Sequence, residues 1–374
     1  MRAVVRGDPA LAPDVAAMSR SDWAEFIRLA QGHGILPIAW VALRPFVARL
    51  GAEAAAELKV AYEANARRNL LLVGELRGVL RALHEVGITA VPWKGLVLAQ
   101  RAYGDVALRQ FFDLDLLVRR SQVAAARDVL GTLGFTPEKQ MTDIEQETYV
   151  DHQGELELVR QADGLWLEIH SAIMPTYYGR GTSSAELWRR VVMVELARGT
   201  VPCLDIADEL EALCVHGSKH RWERLAWVLD VAMLARAMGQ VDWARLMAAA
   251  TDHGTLRMVR IGLLLAVDLC GAPIPADMAA AARSDGVARR LAHDATAALF
   301  DPRPSRFDAL VFHARMRERA RDQLLYLLSV AFTPSGADWE ALHLPRQLFP
   351  LYALTRPVRL AIKYGRRLAS PPRG

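Results

Sequence analysis

The chain has 374 residues, 52% of them hydrophobic and 24% charged, which is typical of a soluble globular protein and excludes a disordered or membrane-embedded one. This length allows two or three domains, each with a hydrophobic core of its own. The formal net charge of +4 is compatible with anionic substrates but does not point to one. The most apolar segment, residues 261–267, lies between Arg260 and Asp268 and is too short to span a bilayer.

The cysteines and the N-terminus predict a cytoplasmic location. Cys203, Cys214 and Cys270 are far apart and form no C-x-x-C pair. This spacing favours a reducing compartment and disfavours a zinc site or a disulfide framework. Arg2 and Arg6 are not followed by the apolar segment of a signal peptide.

Residues 1–85 predict helices. Trp23, Phe26 and Ile27 recur at helical spacing after Ser21-Asp22, which we take as an N-cap. A long helix is predicted from about residue 52 to 86, and Gly87 would end it.

The next hundred residues predict a small sheet with helices. Short runs of β-branched or alternating apolar residues predict strands at 88–93, 113–118, 155–159 and 165–170. Q-A-D-G at 161–164 predicts a hairpin turn between the last two strands. Helices are predicted from Gly95 to Tyr103 and after Ser121, whereas the acidic residues 137–150 follow no clear pattern.

From Leu204 onward the pattern is helical almost throughout. The sequence therefore predicts an α+β protein with a small mixed-sheet core, N-terminal helices and a helical C-terminal domain. We expect three parts: an N-terminal helical segment (1–85), the sheet core (86–203) and the C-terminal domain with its basic tail (204–374).

A pair of aspartates in an apolar run is the main candidate site. Asp113 and Asp115 form a D-x-D in a predicted strand, so alternation directs both side chains to one face. Two carboxylates on one face of an apolar strand repel each other unless a cation offsets them. Mg²⁺ or Mn²⁺ suits such hard oxygen ligands. This pattern favours phosphoryl transfer on a nucleotide over the alternative, a pair of solvated surface acids.

Glu168, in a later strand, is the candidate third carboxylate. Two-metal phosphoryl transfer needs carboxylates that bridge two ions, and Asp113, Asp115 and Glu168 could supply three on adjacent strands. The alternative for Glu168 is a solvent-facing position in the sheet. His170 shares its predicted face and is a candidate for lining the same cleft, although a histidine with an ordinary structural hydrogen bond is an equally good interpretation.

Basic residues and a glycine near the D-x-D are candidates for nucleotide binding. Lys94 offers a charge to a triphosphate, and Gly95 lets the backbone approach a phosphate. Arg109 would clamp a phosphate with two hydrogen bonds, or else form a salt bridge to Asp105 or Asp113.

A second basic group lies on a predicted helix after the sheet. His216 and His220 are four residues apart but lack the glutamate of H-E-x-x-H and an evident third ligand, so we do not expect zinc. Binding of a phosphate or of the acceptor by Lys219 and His220 is the functional interpretation that we favour.

Several motifs in a fixed order resemble a known family. W-K-G-x-x-L-A begins at Trp93 and is followed by Y-G-D, R-x-x-x-D-L-D-L-L-V, L-G-F and L-E-I-H. The longest, H-G-S-K-H-x-W-x-R-L-x-W-x-x-D, spans residues 216–230. Together they resemble the uncharacterised bacterial nucleotidyltransferases of the polymerase-beta-like superfamily over residues 80–234.

The resemblance implies a minimal nucleotidyltransferase sheet, Mg²⁺ (or Mn²⁺) and a nucleoside triphosphate such as ATP as donor. It implies that Asp113 and Asp115 are metal ligands and that Glu168 is the third carboxylate. The chain departs from the superfamily at one point: Lys94-Gly95 stands, further upstream than usual, where the superfamily has Gly-Ser before the D-x-D. The resemblance therefore does not predict how this position contacts the nucleotide.

The predicted activity is metal-dependent transfer of a nucleoside monophosphate to an unknown acceptor. A small molecule, a peptide or a polysaccharide precursor would suit, and nothing supports nucleic acid. One alternative is a tailoring transferase that uses a sugar nucleotide, because D-x-D with a metal also suits a diphosphate-sugar donor. Another is a non-catalytic nucleotide-binding module, because Lys-Gly replaces Gly-Ser.

The C-terminal residues 356–368 mix apolar side chains with five basic ones, at positions 356, 359, 363, 366 and 367. Peripheral binding to an anionic membrane and binding to nucleic acid are two interpretations. We favour a third, a solvated amphipathic helix that closes the domain.

Overall fold

The computed structural model describes residues 1–6, 18–173, 185–197, 199–237, 241–300, 306–342, 348 and 351–368. It has the predicted α+β architecture, in which a small mixed sheet lies between helices that precede and follow it in the chain. In the described part of the chain, none of the helices has both the length and the apolar character needed to cross a bilayer.

Among the described residues, four helices precede the sheet: α1 (Arg2–Arg6), α2 (Arg20–Gly32), α3 (Leu36–Leu43) and α4 (Ala52–Glu85), with a 3₁₀ turn at Arg44–Arg49. The predicted N-cap of α2 at Ser21-Asp22 is wrong by two residues. Ser19 is the cap, and it forms a capping box in which its hydroxyl accepts from the Asp22 amide and the Asp22 carboxylate accepts from the Ser19 amide. Gly87, just beyond α4, has the left-handed φ of 77° that its predicted role requires.

The main sheet has five strands: β1 (Val91–Pro92), β2 (Asp113–Leu117), β3 (Phe135–Pro137), β4 (Glu155–Arg160) and β5 (Leu165–His170). Their order is β1-β2-β5-β4-β3, and only β2 and β5 pair in parallel. The predicted hairpin between β4 and β5 is confirmed. A second sheet pairs β6 (Val192–Glu195) with β7 (Thr200–Cys203).

The helices that interrupt the strands in the described ranges are α5 (Gly95–Tyr103), α6 (Val123–Thr132), α7 (Asp143–Gln153) and α8 (Ala185–Arg189). The bounds of α5 agree with the prediction. The sequence pattern missed α7, whose start is a capping box between Thr142 and Glu145. Ser121 does not cap α6, because a 3₁₀ turn at Arg120–Gln122 precedes that helix.

The C-terminal part is helical, as predicted: α9 (Ile206–Lys219), α10 (Leu225–Ala237), α11 (Trp243–His253), α12 (Leu256–Cys270), α13 (Ala276–Ser284), α14 (Gly286–Ala298), α15 (Arg306–Arg315), α16 (Ala320–Phe332), α17 (Gly336–Ala341) and α18 (Tyr352–Leu368). Asp205 caps α9 by accepting a hydrogen bond from the Ala207 amide.

The long helix α4 contributes to two hydrophobic cores. Its first half, with Ala54 and Leu58, packs in a core that the N-terminal helices share with helices of the C-terminal part. Its second half, with Leu72, Leu76 and Leu83, packs in the core beneath the main sheet. Helices before and after the sheet are thereby held around it. The division of the chain at residues 85 and 203 stays a prediction.

Candidate active site

The parallel pairing of β2 with β5 brings two of the predicted carboxylates side by side. Asp115 is the register partner of Glu168, and Asp113 is the partner of Trp166. Because side chains alternate along a strand, Asp113, Asp115 and Glu168 share one face of the sheet. The predicted placement of these carboxylates on adjacent strands is confirmed.

The opposite face of the same strands is apolar. Leu114, Leu116, Leu167 and Ile169 are each 3% exposed or less and pack in the core beneath the sheet. Burial of these side chains fixes the register, because a slip of one residue would move them to the polar face. The apolar residues of D-L-D-L-L and L-W-L-E-I-H therefore position the carboxylates.

Asp115 lies at the centre of a buried ionic cluster. Its Oδ1 atom is 2.9 Å from Nζ of Lys94 and 2.9 Å from Nε2 of His170. His170 Nε2 is also 3.2 Å from Oε2 of Glu168. The side chains of Asp115, Lys94 and His170 are all less than 10% exposed. Buried charges need partners of opposite sign, and these residues supply them to one another.

This cluster sets the charge state of its members. Burial opposes ionisation of Asp115, but Lys94 and His170 hold the pKa of its carboxyl below the usual range. Burial would likewise lower the pKa of His170, but hydrogen bonds to Asp115 and Glu168 raise it to about 9. Burial also disfavours the Lys94 ammonium, yet the nearby carboxylates, Asp115 first, raise its pKa. Without a metal ion, Asp115 is thus ionised and both nitrogen groups beside it are cationic at neutral pH. A metal ion bound to His170 would replace the proton on its ring nitrogen.

Asp113 lies two residues earlier on the same face and is half-buried. Burial, followed by repulsion from Asp115, raises the pKa of Asp113 to about 6. The carboxyl groups of the two aspartates in the D-x-D motif therefore differ in pKa, since Asp115 has cationic partners and Asp113 lies at the edge of the cluster.

One group of residues in the described part of the chain fits a divalent cation. Asp115, Glu168 and His170 each offer a ligand atom, and these atoms lie within 4.8 Å of one another. Two carboxylates with an imidazole suit Mn²⁺, and carboxylates suit Mg²⁺. The group differs from the predicted set of Asp113, Asp115 and Glu168, because the His170 ring lies within 3.2 Å of both Asp115 and Glu168 and Asp113 is not part of the group. The role of each residue as a ligand stays a prediction.

The polar face forms the floor of a cleft of about 610 Å³. Residues from α2, the β1–α5 junction and the α9–α10 region complete its walls: Gln31, Gly32, Trp93, Val215, His216, Arg224, Ala226 and Trp227. This volume is within the range of small-molecule sites. The N-terminal helices, for which the sequence predicted no part in the site, therefore contribute to the cleft.

Lys219 and His220 line the same cleft as the carboxylates, and their predicted role in binding a phosphate or the acceptor stays a prediction. Nζ of Lys219 is 3.0 Å from Oε2 of Glu155, a carboxylate on β4. His220 stacks with Trp227, at 5.0 Å between ring centroids, and with His216, at 4.7 Å. Burial, and then the Lys219 charge, lowers the pKa of His220 to about 3, so this imidazole is neutral.

Arg109 is paired in a way that the sequence did not predict. The expected salt bridge to Asp105 or Asp113 is wrong, because Nε and Nη2 of Arg109 each donate to the Asp230 carboxylate at 2.8 Å. The Tyr103 hydroxyl donates to the same carboxylate at 2.7 Å. The pair is buried and joins the loop before β2 to α10. A bidentate phosphate clamp by Arg109 would require this pair to break.

Lys94 and Gly95 form the junction between β1 and α5. Their φ values are 57° and 43°, a conformation that glycine adopts readily and a lysine rarely. Lys94 is the N-cap of α5 and lines the cleft, and its side chain makes no capping hydrogen bond to the first backbone amides of the helix.

The sequence did not single out two acidic residues in the cleft, Glu155 and Glu157. Both lie on β4 and face His170 and Glu168 in the register of the β4–β5 hairpin. The alternation in E-L-E-L-V was the available signal, since it places both glutamates on the polar face of a strand already predicted to pair with β5.

The α+β fold, with carboxylates on two neighbouring strands, is that of a nucleotidyltransferase. Residues 19–271, more than half of the chain, match the family described as uncharacterised nucleotidyltransferase, and the protein belongs to this family. The family predicted from the motifs is thus confirmed, and with it the expectation of a transferase. No curated protein matches the chain.

Two solved structures are similar to part of the chain. One is the solution structure of the antibiotic-resistance factor ANT(2'')-Ia, which has 14% identity and a TM-score of 0.36 and covers 49% of this chain and 92% of that one. The other is the crystal structure of ANT(2'')-Ia with adenylyl-2''-tobramycin, with 14% identity, a TM-score of 0.34 and coverage of 48% and 96%. Similarity at this level transfers neither a substrate nor a mechanism.

Proposed function

We propose that this protein transfers a nucleoside monophosphate from a nucleoside triphosphate to an acceptor, with a divalent cation bound at the D-x-D cluster. The observation that carries the proposal is the convergence of Asp115, Glu168 and His170 on one face of a parallel strand pair, in a cleft of small-molecule size. Asp113, on the same face, would complete the set of carboxylates that the D-x-D motif supplies.

The reaction would proceed by attack of an acceptor oxygen on the α-phosphorus. A bond forms between these two atoms, the bond from phosphorus to the bridging oxygen breaks, and pyrophosphate leaves with that electron pair. Glu168, whose side chain is 24% exposed and reaches the cleft, would take the proton of an acceptor hydroxyl. A bound Mg²⁺ or Mn²⁺ would supply charge neutralisation at the phosphates.

The β1–α5 junction supports a position for the triphosphate. Lys94 brings a cation to the cleft, Gly95 has no side chain, and the N-terminus of α5 offers backbone amides to an anion. We propose that the triphosphate lies at this junction. Arg109 would act as a positioning residue through Asp230, because its guanidinium is already engaged there.

The part of the cleft that carries Lys219, His220 and Trp227 supports a position for the acceptor. Lys219 pairs with Glu155, and the neutral His220 lies beside Trp227, which together form a surface with both hydrogen-bonding and aromatic character. A hydroxyl or phosphate on a small molecule, a peptide or a polysaccharide precursor would suit this surface.

A ligand screen tests the donor. The four ribonucleoside triphosphates and common sugar nucleotides, each with Mg²⁺ or Mn²⁺, would be compared by thermal shift and calorimetry. We expect metal-dependent stabilisation by one triphosphate, lost in Asp115→Asn and kept in Asp128→Asn, a matched change at a carboxylate that is 66% exposed and lies on α6. Stabilisation by a sugar nucleotide alone would favour glycosyl transfer. Tight triphosphate binding without pyrophosphate release would favour a non-catalytic module.

We also propose that the C-terminal helices bind an anionic lipid surface. On α18, Leu354, Val358 and Ile362 are 67%, 59% and 52% exposed and form one stripe at helical spacing. The neighbouring α16 exposes five more large apolar side chains, Leu324, Leu325, Leu327, Leu328 and Phe332. Exposed apolar surface of this extent is typical of an interaction site.

The orientation and charge of α18 favour lipid as the occupant. Its Arg356 and Arg359 face inward and pair with Asp338, so the apolar side of this amphipathic helix faces outward. Besides these two arginines, the sequence of the helix has three basic residues, at positions 363, 366 and 367, and no acidic one, which complements an anionic bilayer. Residues 369–374, the end of the predicted basic tail, lie outside the described residues.

Vesicle flotation tests this surface. The protein should bind phosphatidylserine-containing vesicles more strongly than pure phosphatidylcholine ones, and less strongly at high salt. The triple change Leu354→Ser, Val358→Ser and Ile362→Ser should abolish binding, whereas Leu70→Ser with Leu71→Ser, at exposed leucines of α4, should not. No flotation, together with a dimer in solution that the triple change converts to a monomer, would assign the surface to a second copy of the chain and overturn the proposal.

A further inference from the structure

Lys94 holds a permanent cation at the centre of the proposed metal site. Its ammonium lies 2.9 Å from Oδ1 of Asp115, with only 9% of its side chain exposed. The same ammonium lies over the Trp93 ring, 4.2 Å from its centroid. A hydrogen bond to a carboxylate together with a cation–π contact fixes the charged end of the side chain from two directions.

The backbone also holds Lys94 in place. Its φ of 57° is unusual for a residue with a side chain, and such conformations persist where the surrounding structure enforces them. The Trp93 amide donates to the carbonyl of Asp115 at 3.2 Å, which ties the residue before Lys94 to the central strand. Lys94 is therefore part of a rigid junction and not a flexible surface lysine.

An ammonium in this position competes directly with a metal ion. Two-metal phosphoryl transfer places two ions about 3.5–4 Å apart, with carboxylates shared between them. Mg²⁺ binds a carboxylate oxygen at about 2.1 Å, so an ion on the side of Asp115 that faces Lys94 would collide with the ammonium. Glu168 and His170 each offer a ligand atom within 4.8 Å of one on Asp115, which gives a ligand set of three residues for one ion.

We propose that the Lys94 ammonium takes the place of one of the two divalent ions, so that the site binds a single ion through Asp115, Glu168 and His170. This inference rests on the proposed nucleotidyl transfer. An ammonium has three N–H donors, so the contact with Asp115 leaves donors for the triphosphate. Lysine in place of the usual Gly-Ser thus substitutes for a metal ion at the phosphates.

Counting bound Mn²⁺ tests the inference without an acceptor. Electron paramagnetic resonance would measure the number of Mn²⁺ ions per chain with α,β-methylene analogues of the four ribonucleoside triphosphates. We expect one ion in the wild type. In Lys94→Met we expect two, with the spectral splitting of a coupled pair. Lys94→Gly, which suits the left-handed φ, is a second variant in case the methionine impairs folding, and Lys59→Met at an exposed lysine is the control.

The outcomes separate this inference from the proposed function. Two ions in the wild type, or one ion in both Lys94 variants, would overturn the inference and leave nucleotidyl transfer intact. Absence of both Mn²⁺ and analogue binding in the wild type would overturn the proposed function and this inference with it. One ion in the wild type and in Lys59→Met, with two in the Lys94 variants, would establish that the Lys94 ammonium replaces one divalent ion.

Discussion

The two ends of helix α5 carry buried charges of different kinds. At its N-terminal end, Lys94 and His170 meet Asp115, Glu168 and the half-buried Asp113, so carboxylates outnumber cations. At its C-terminal end, Arg101 pairs with Glu209 on α9 at 2.9 Å, and the nearby Arg109 pairs with Asp230 on α10 at 2.8 Å. A one-to-one pair has no excess charge and joins two elements of the fold. A cluster with excess carboxylates retains the capacity to bind a cation.

The largest expected effect is on turnover at the cluster. Asp115→Asn should lower transfer of an α-labelled nucleotide by about a thousandfold or more, because loss of a metal-binding carboxylate removes several kcal/mol of transition-state stabilisation. Asp128→Asn is the matched control. Wild-type turnover in Asp115→Asn would place the chemistry elsewhere.

The one-to-one pairs should instead matter for stability. Arg109→Met leaves Asp230 buried without its cationic partner and should lower the free energy of unfolding by about 3–5 kcal/mol, measured by urea denaturation. The same change at Arg120, whose partner Asp151 is 65% exposed, should cost less than about 1 kcal/mol. Equal effects at the two positions would contradict the distinction between buried and exposed pairs.

A smaller effect depends on pH. Burial, only partly offset by Arg101, raises the pKa of Glu209 to about 7 from the ordinary 4.5. Folded Glu209 holds its proton more tightly than unfolded Glu209. The free energy of unfolding that this difference contributes is fully present below about pH 4.5 and is lost as the pH rises through 7. The wild type should therefore lose up to about 3 kcal/mol relative to Glu209→Gln across this range. If the free energy of unfolding changed with pH in the same way for the two proteins, the raised pKa of Glu209 would be refuted.

The smallest effect is a gain of stability at the edge of the cluster. The pKa of Asp113 is raised to about 6, so its ionised form destabilises the fold increasingly as the pH rises through 6. Without divalent ions, Asp113→Asn should raise the free energy of unfolding at pH 8 by about 1 kcal/mol, a value reduced for the partial exposure of this side chain. Asp115→Asn should act in the opposite direction, because it leaves Lys94 without its partner. A loss of stability in both variants would show that the two aspartates share one environment.

Much of the site region was predictable because its signals are local. Alternation of apolar and polar residues in β2 and β5 predicted both strands and the face that carries Asp113, Asp115 and Glu168. Gly95 and Gly104 bracket α5, whose bounds were predicted correctly. The capping box of α7 was also a local signal, but it lay in an acidic stretch without an apolar stripe, and the helix was missed.

The partners of the charged residues were not predictable in this way. Asp230 is 121 positions from Arg109, and Glu155 is 64 positions from Lys219. The choice of Asp230 over Asp105 for Arg109 depends on α10 packing against α5, which no pattern near Arg109 encodes. The inclusion of His170 and the omission of Asp113 in the cation-binding group likewise follow from the β2–β5 register.

The sequence by itself determined the family, the α+β class, the strands that carry the carboxylates and the lysine at the β1–α5 junction, because periodicity and short motifs act over a few residues. Only the tertiary structure decided that the Lys94 ammonium contacts Asp115 and that His170 lies between Asp115 and Glu168. It also decided that Arg109 pairs with Asp230 and that the apolar stripe of α18 faces outward. Ionic contacts and solvent exposure depend on distances between elements far apart in the chain, and packing of the hydrophobic cores sets those distances.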